Sequence, residues 1–373
     1  MLQQIAIIEP VGGYGGMDYY DYGLAMGLGT NNIQILYYTN DQTNIRYFVN
    51  VETIITFKRV WNTRIKILKL YYLLKGYLCA FCDCKKKGID IIHLHFFDLG
   101  FVNALVMLIA ALFDFKKVLT LHDVSSFIND NNNFFEQFIL KKFDAVIVHN
   151  KFSYKELTKK VSHNQIVVII PHGNYLPFIN ELDYHPTQGK LNILFFGQIK
   201  KVKGLDILLK SIAILKQQAV PVCLTIAGKV WHDSSEKYFR LINELNIQDC
   251  VTTHFRFIPD NEVKDFFCKT DIVVLPYKRI YQSGVLLLSM SYGRTVLVSD
   301  LPAFVEIIEN GKNGYTFKSE NPESLAISLQ NINNNKTNLM KIRNAASIDL
   351  RNNYDWNLIG EKTKHLYENI LSK

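Results

Sequence analysis

Three short stretches carry side chains suited to holding an anion. In GQIKKVKG (197–204), Gly197 ends an apolar run, Gln198 follows, and Lys200, Lys201 and Lys203 precede Gly204 and an amphipathic segment. Lysine ammonium groups beside the unpaired N–H groups of a helix start form a phosphate clamp. The stretch 277–293, YKRIYQSGVLLLSMSYG, places Lys278, Arg279 and Tyr281 ahead of a Ser283–Gly284 turn and an apolar helical run containing Ser289. It contains no acidic residue, so any chemistry here relies on cations and backbone amides. In PVGGYGG, Gly12, Gly13, Gly15 and Gly16 lie between an apolar run and a helix, which lets the backbone approach a ligand closely. The spacing is not the GxGxxG of a dinucleotide site with an acid at the next strand end. His122 and Asp123 end the run LTLHD, a strand-end position suited to a polar contact.

Short runs rich in Ile and Val position these residues. The first half offers IAIIE, IQILYYT, TIITF, IDIIHLHFF, KVLTLHD, AVIVHN and IVVIIPHG; the second offers NILFFG, VCLTIAG, TTHFRFI, DIVVLPY and TVLVSD. Most do not alternate with polar residues, the mark of parallel strands buried on both faces. Helical stretches separate them. The segment 173–190 has neither periodicity and carries Gly and two prolines, so it reads as an interdomain linker. The expected fold is α/β: two Rossmann-like, doubly wound parallel-sheet domains, 1–178 and 188–352, with ligands at the carboxyl ends of the strands in a central cleft.

The 373 residues, 48% of them apolar, suffice for two cores. The net charge of +8 equals that of one segment, 58–87, which holds Lys58, Arg59, Arg64, Lys66, Lys69, Lys75, Lys85, Lys86 and Lys87 against Asp83. Trp61, Ile65, Leu68 and Tyr72 fall on one helical face there, a pattern suited to an anionic membrane surface. No nucleic-acid motif accompanies the charge. FVNALVMLIAALF (101–113) is too short to span a bilayer and reads as a buried helix. MLQQIAIIEPVGG has no secretory pattern, so a cytoplasmic protein is expected. Cys79, Cys82 and Cys84 lack a second pair at zinc spacing, His93 and His95 lack a third ligand, and Asp18 and Asp21 do not form a metal-diphosphate motif. No cofactor and no metal are expected.

The order of motifs resembles the retaining GT-B glycosyltransferases of family 4. The residues that carry the resemblance are Gly15–Gly16 after the first strand, His122 ending LTLHD, IPHG (170–173), Gly197 to Gly204 as G-Q-x4-K-G, GRTVLVSDLPAFVEII with Glu306, Gly311 and Gly314, and YDWNLIGEKTKHLY near the C-terminus. It covers nearly the whole chain. It implies a nucleotide-diphosphate sugar as co-substrate, bound in the second domain by Gly197, Gln198, Lys200, Lys203, Lys278, Arg279, Tyr281, Ser283, Gly284 and Ser289. It implies an acceptor in the first domain near Gly15, Gly16 and Asp123, catalytic roles for His122 and Lys203, and a C-terminal helix, 353–373, returning to the first domain. The acceptor would be a saccharide or a lipid-linked saccharide of surface polysaccharide, reached through contact of 58–87 with the inner membrane surface.

Two departures stand out. Gln198 replaces the family's phosphate-binding Arg. The family's E-x7-E pair falls on Tyr281 and Ser289, or on Ile280 and Leu288 when anchored on Gly293. The sequence resembles a variant in which Lys278, Arg279 and the Ser283–Gly284 amides grip the diphosphate. A non-catalytic glycosyltransferase-like scaffold is the alternative motivated by the missing acids. An epimerase of the same fold would need carboxylates that these stretches lack.

Overall fold

The computed structural model describes residues 2–13, 16–124, 133–162, 164–180, 182, 189–231 and 233–372. The chain forms two compact units, Met1–Gly173 with Tyr354–Lys373, and Asn174–Asn353. Gly15 of the first glycine loop and most of the segment after Leu182 lie outside the described residues.

Unit 1 runs β1 (Gln4–Ile8), α1 (Met17–Thr30), β2 (Gln34–Asn40), β3 (Val51–Phe57), α2 (Lys66–Lys86), β4 (Ile91–Phe96), α3 (Phe101–Ala110), β5 (Lys116–Leu121), α4 (Asn133–Leu140), β6 (Ala145–Val148), α5 (Lys151–Thr158) and β7 (Ile166–Ile169). Its parallel sheet has the order β3-β2-β1-β4-β5-β6-β7. Ile5, Ile7, Ile92, Leu94, Val118 and Val146 are fully buried, so both sheet faces are covered. All seven strand runs read from this half of the sequence form strands.

Unit 2 runs β8 (Leu191–Phe196), α6 (Leu205–Gln217), β9 (Val222–Ala227), α7 (Ser235–Glu244), β10 (Val251–His254), α8 (Asp260–Cys268), β11 (Ile272–Leu275), α9 (Gly284–Ser291), β12 (Thr295–Ser299), α10 (Pro302–Val305), β13 (Tyr315–Phe317), α11 (Pro322–Asn334) and α12 (Asn338–Asn353). Its order, β10-β9-β8-β11-β12-β13, repeats the winding of unit 1 through six strands. In each unit the order reverses between the first strand and its fourth, the point where doubly wound sheets bind ligands at the carboxyl ends. A final helix, α13 (Trp356–Leu371), belongs to unit 1.

Three expectations need correction. The apolar run at 101–113 is not a fully buried helix: α3 buries Ala104, Val106, Met107 and Ala110 but leaves Phe101 and Leu108 more than half exposed. The helical stripe beginning at Trp61 is not built, because α2 starts at Lys66. Trp61 precedes it, donating its indole N–H to the Pro10 carbonyl at 2.8 Å, with Lys69 Nζ 4.0 Å above the ring. The run TTHFRFI is a strand only to His254.

The α1–α13 seam is backbone on backbone. A Cβ on Gly27 would stand 1.9 Å from the Trp356 carbonyl oxygen, and one on Gly360 would stand 2.2 Å from the Gly27 carbonyl. Neither obstacle is a movable side-chain tip, so a methyl group forces the helices apart. Gly27→Ala is expected to lower unfolding stability by about 1–3 kcal/mol despite alanine's better helix propensity. Urea denaturation checks this; a midpoint equal to wild type would show that the seam opens at no cost.

Candidate active site

In unit 2, β8 and β11 are neighbours, so the loops leaving their carboxyl ends run side by side. The Lys278 N–H donates to the Val202 carbonyl at 2.8 Å. Gly204 holds φ +66°, and a Cβ there would meet the Pro276 carbonyl oxygen at 1.8 Å, so glycine alone suits both the turn and the close approach. A Cβ on Gly197 would lie 3.1 Å from Val285 Cγ2 and 3.7 Å from Lys203 Nζ. Gly197, Lys203 and the first turn of α9 therefore converge on one spot. Ser283 caps α9, its hydroxyl accepting from the Leu286 N–H at 3.2 Å. The N–H groups of Gly284 and Val285 open the helix and have no partner within it. An ammonium beside a helix start is the chemistry of a phosphate cradle.

The other residues read as donor-binding are placed differently. Lys278 Nζ lies 2.8 Å from Asp206 Oδ2, an ion pair with the first turn of α6. Gln198, Lys200 and Arg279 are exposed. Tyr281 is buried. Ser289 is fully buried within α9, donating its hydroxyl to the Val285 carbonyl at 2.6 Å, and is not brought to the Gly197–Lys203 spot.

In unit 1, the ends of β4 to β7 deliver histidines to one place. Tyr20 of α1 stands at its centre. Its ring centroid lies 5.3 Å from that of His95, 4.9 Å from His122, 5.3 Å from His149, 5.0 Å from His172 and 5.5 Å from Trp356. His122 also stacks on Phe97 at 5.0 Å and 21°. His93 is held by the Tyr367 hydroxyl at 2.6 Å and by Thr120 Oγ1 at 2.7 Å. Among the described residues, no three His, Cys, Asp or Glu side chains are placed to hold a metal ion. Asp123 follows His122 and is half-buried, and Gly16 precedes α1 with φ +80°.

Two buried carboxyls complete the cluster. Glu9, just past β1, accepts from the Val11 and Gly12 N–H groups at 2.7 and 2.6 Å. The glycine loop was expected to offer its amides to a ligand anion; two of them serve this internal carboxyl instead. Asp21 accepts from the Tyr37 hydroxyl at 2.8 Å and meets His95 Nδ1 at 2.7 Å. Burial raises the pKa of both carboxyls well above the ordinary range, and the negative charge of Asp21 raises Glu9 further. Burial pushes the imidazoles the other way: His95 and His149 to about 4, His172 to about 3, and His93 well below its usual value. The Asp21–His95 contact therefore brings together two groups that burial neutralises, and it is not an ion pair.

Glu9, Tyr20 and His149 were not singled out in the sequence, and Asp21 was considered only as part of a metal motif that it does not form. Their signal was weak but present: Glu9 and His149, like His122, directly follow a buried apolar run.

These shifts fix a pH dependence. A histidine held neutral in the fold and free to charge when unfolded contributes stability above its unfolded pKa, near 6.5. That contribution is lost as pH falls toward the folded value of about 4. Glu9 and Asp21 act oppositely, since their folded values are raised, but four imidazoles outnumber two carboxyls. The urea midpoint is expected to fall steadily between about pH 6.5 and pH 4, with net proton uptake on unfolding. A flat profile would refute the neutral cluster.

Two family models match the chain: Glycosyltransferase Family 4 over residues 14–173 and Glycosyl transferases group 1 over residues 190–335. An uncharacterized 41.2 kDa protein from the cps region of Klebsiella pneumoniae is 26% identical over 251 residues, 62% of this chain and 65% of that protein. The match thus spans just under two thirds of that relative. Sucrose-phosphate synthase from Thermosynechococcus elongatus aligns with a TM-score of 0.78 at 18% identity, covering 99% of each chain. Anabaena HepE, solved in complex with UDP, aligns at 0.74 and 14% identity, covering 98% of this chain and 100% of that one. With a family model on each half and one winding order in both sheets, the chain belongs to the group 1, family 4-like glycosyltransferases of the GT-B fold.

Proposed function

We propose that the protein transfers a sugar from a nucleotide-diphosphate sugar to a saccharide acceptor, with retention at the anomeric carbon. The convergence of Gly197, Lys203 Nζ and the start of α9 carries this reading. As the glycosidic bond breaks, negative charge grows on the leaving diphosphate. A fixed ammonium and helix-start N–H groups stabilise that charge at no reorganisation cost. In this reading no metal is required. The donor's nucleotide belongs to unit 2 and the acceptor to unit 1, where His122 makes the polar contact with the reacting sugar. HepE, of the same fold, binds UDP, and its uridine diphosphate is the first probe to use here.

A thermal-shift series with UDP, GDP, dTDP, ADP and CMP tests the donor site. A ligand that binds only the folded state raises its midpoint, by about 2.7 kcal/mol of stability at a hundred times Kd. One diphosphate is expected to stabilise wild type and to lose most of that effect in Lys203→Ala. No shift with any nucleotide would sink the donor site and favour a non-catalytic scaffold.

The acceptor in this reading is lipid-linked and reached at the inner membrane surface. Its support is the amino-terminal half of α2, where Ile67 is 80% and Tyr71 55% exposed among Lys66, Lys69 and Lys75, with Arg64 just ahead of the helix. The exposed face of α3 adds Phe101 and Leu108. No helix among the described residues is long and apolar enough to cross a membrane. Each basic residue near an anionic surface contributes about 1 kcal/mol. The triple change Arg64→Ala, Lys66→Ala, Lys75→Ala is therefore expected to weaken co-sedimentation with anionic vesicles by about 3 kcal/mol at low salt. Wild type that ignores such vesicles would remove the membrane from this reading.

A further inference from the structure

Lys203 and Lys278 stand on neighbouring loops of unit 2, and the fold treats their charges differently. Lys278 is paired with the Asp206 carboxylate at 2.8 Å. Lys203 is half-buried, and among the described residues no carboxylate lies within ion-pair distance of it. Its Nζ instead lies 5.2 Å from the centroid of the Tyr277 ring. That is within the range over which a ring face attracts an ammonium.

The ring is held in place by groups other than Lys203. Tyr277 is 1% exposed and packs on Phe304, with ring centroids 5.3 Å apart. Its carbonyl accepts from the Ser299 hydroxyl at 2.7 Å. On the other side Lys278 donates its N–H to the Val202 carbonyl, and the Pro276 carbonyl lies against Gly204. The backbone of 276–278 is thus fixed against 202–204, which brings the ring to the Lys203 side chain. The Tyr277 hydroxyl takes no part: it is buried, with no hydrogen-bond partner among the described residues.

We propose that Tyr277 is a positioning residue for the donor site: its ring face holds the Lys203 ammonium beside Gly197 and the start of α9, ready for the diphosphate. A carboxylate partner would neutralise the ammonium, as Asp206 does for Lys278. An aromatic face holds it without cancelling its charge. A loose lysine gives up rotamer freedom when it grips an anion, whereas one already held has little left to lose. The inference rests on Lys203 as the anion's partner in the reading above, and two measurements separate the failure of one from the failure of the other.

The contact is read without ligand, by NMR of protein labelled with 13C-lysine, using Lys203→Arg to identify the Lys203 signal. Protons above the face of an aromatic ring resonate upfield. The Lys203 Hε protons are expected upfield of those of exposed lysines in wild type and in Tyr277→Phe, and at the ordinary position in Tyr277→Leu. Tyr277→Phe keeps the ring and removes only a hydroxyl that has no partner, so its fold is not at risk. A wild-type signal at the ordinary position, or one that Tyr277→Leu does not move, overturns the contact.

The positioning role is read by calorimetric titration with UDP, GDP, dTDP, ADP and inorganic pyrophosphate. For the diphosphate that binds wild type, Tyr277→Leu is expected to raise Kd about fivefold, and Tyr277→Phe to retain most of the affinity. In a Lys203→Ala background, Tyr277→Leu is expected to change Kd no further. An equal loss in both backgrounds would mean that the ring acts through the loop and not through Lys203, and overturns the proposal. Wild-type binding that Tyr277→Leu leaves unchanged also overturns it while sparing the donor site. No binding of any of these to wild type, with the upfield signal in place, sinks the donor reading and the anion role of the contact with it.

Discussion

The indole of Trp356 has glycine on two sides. A Cβ on Gly23 would stand 2.1 Å from its Cε2, and a Cβ on Gly173 would stand 2.2 Å from the same atom. One side chain near the end of the chain thereby joins the first helix, the last helix and the segment after β7. The contact leaves no room for a larger residue on either side, which gives a packing reason for the glycine of IPHG. Its consequence reaches the histidines. Trp356 stands edge-on to Tyr20 and tilted against His172, and is itself only 1% exposed. Tyr20 contacts four imidazoles, so a shift of α1 against α13 would move the centre of the cluster. The close glycine seam at Gly27 and Gly360 opposes that shift.

The two units handle polarity in opposite ways. In unit 1 the strand ends are crowded with ionisable groups, yet burial outweighs every neighbouring charge: the carboxyls go up and the imidazoles go down. The result is a polar interior that carries little charge. Glu9 also occupies two amides of the glycine loop, which reduces what that loop can offer an external anion. In unit 2 the corresponding loops hold Lys203 beside an open helix start. An anion suits the second arrangement, and a neutral, hydroxyl-rich molecule suits the first. This division agrees with a nucleotide-diphosphate donor on unit 2 and a saccharide on unit 1.

Strand positions were legible because runs such as IAII and AVIV are buried on both faces and need no long-range information to recognise. The winding order followed from the alternation with helices. β13 was missed because YTF, at three residues, is too short to carry a pattern. The histidine cluster was only partly legible. His93, His95, His122, His149 and His172 come from four strands and meet because β4, β5, β6 and β7 are sheet neighbours. A strand-end histidine can be read from sequence; its partner on the next strand depends on register and side-chain direction. Ser289 shows the reverse error. Its position in a motif suggested a ligand contact, but the helix turns its hydroxyl back onto Val285.

The acid-free stretch 277–293 gains its meaning from a residue outside it. Asp206 opens α6, where a carboxylate is favoured by the partial positive charge of the helix start. It also draws the ammonium of Lys278 to 2.8 Å. Both side chains are partly exposed, so the pair contributes little to stability, but it does set where the Lys278 charge sits. Its local effect is to leave anion binding near Gly197 to Lys203 and the N–H groups of Gly284 and Val285. The absence of acids is therefore compatible with a working anion site.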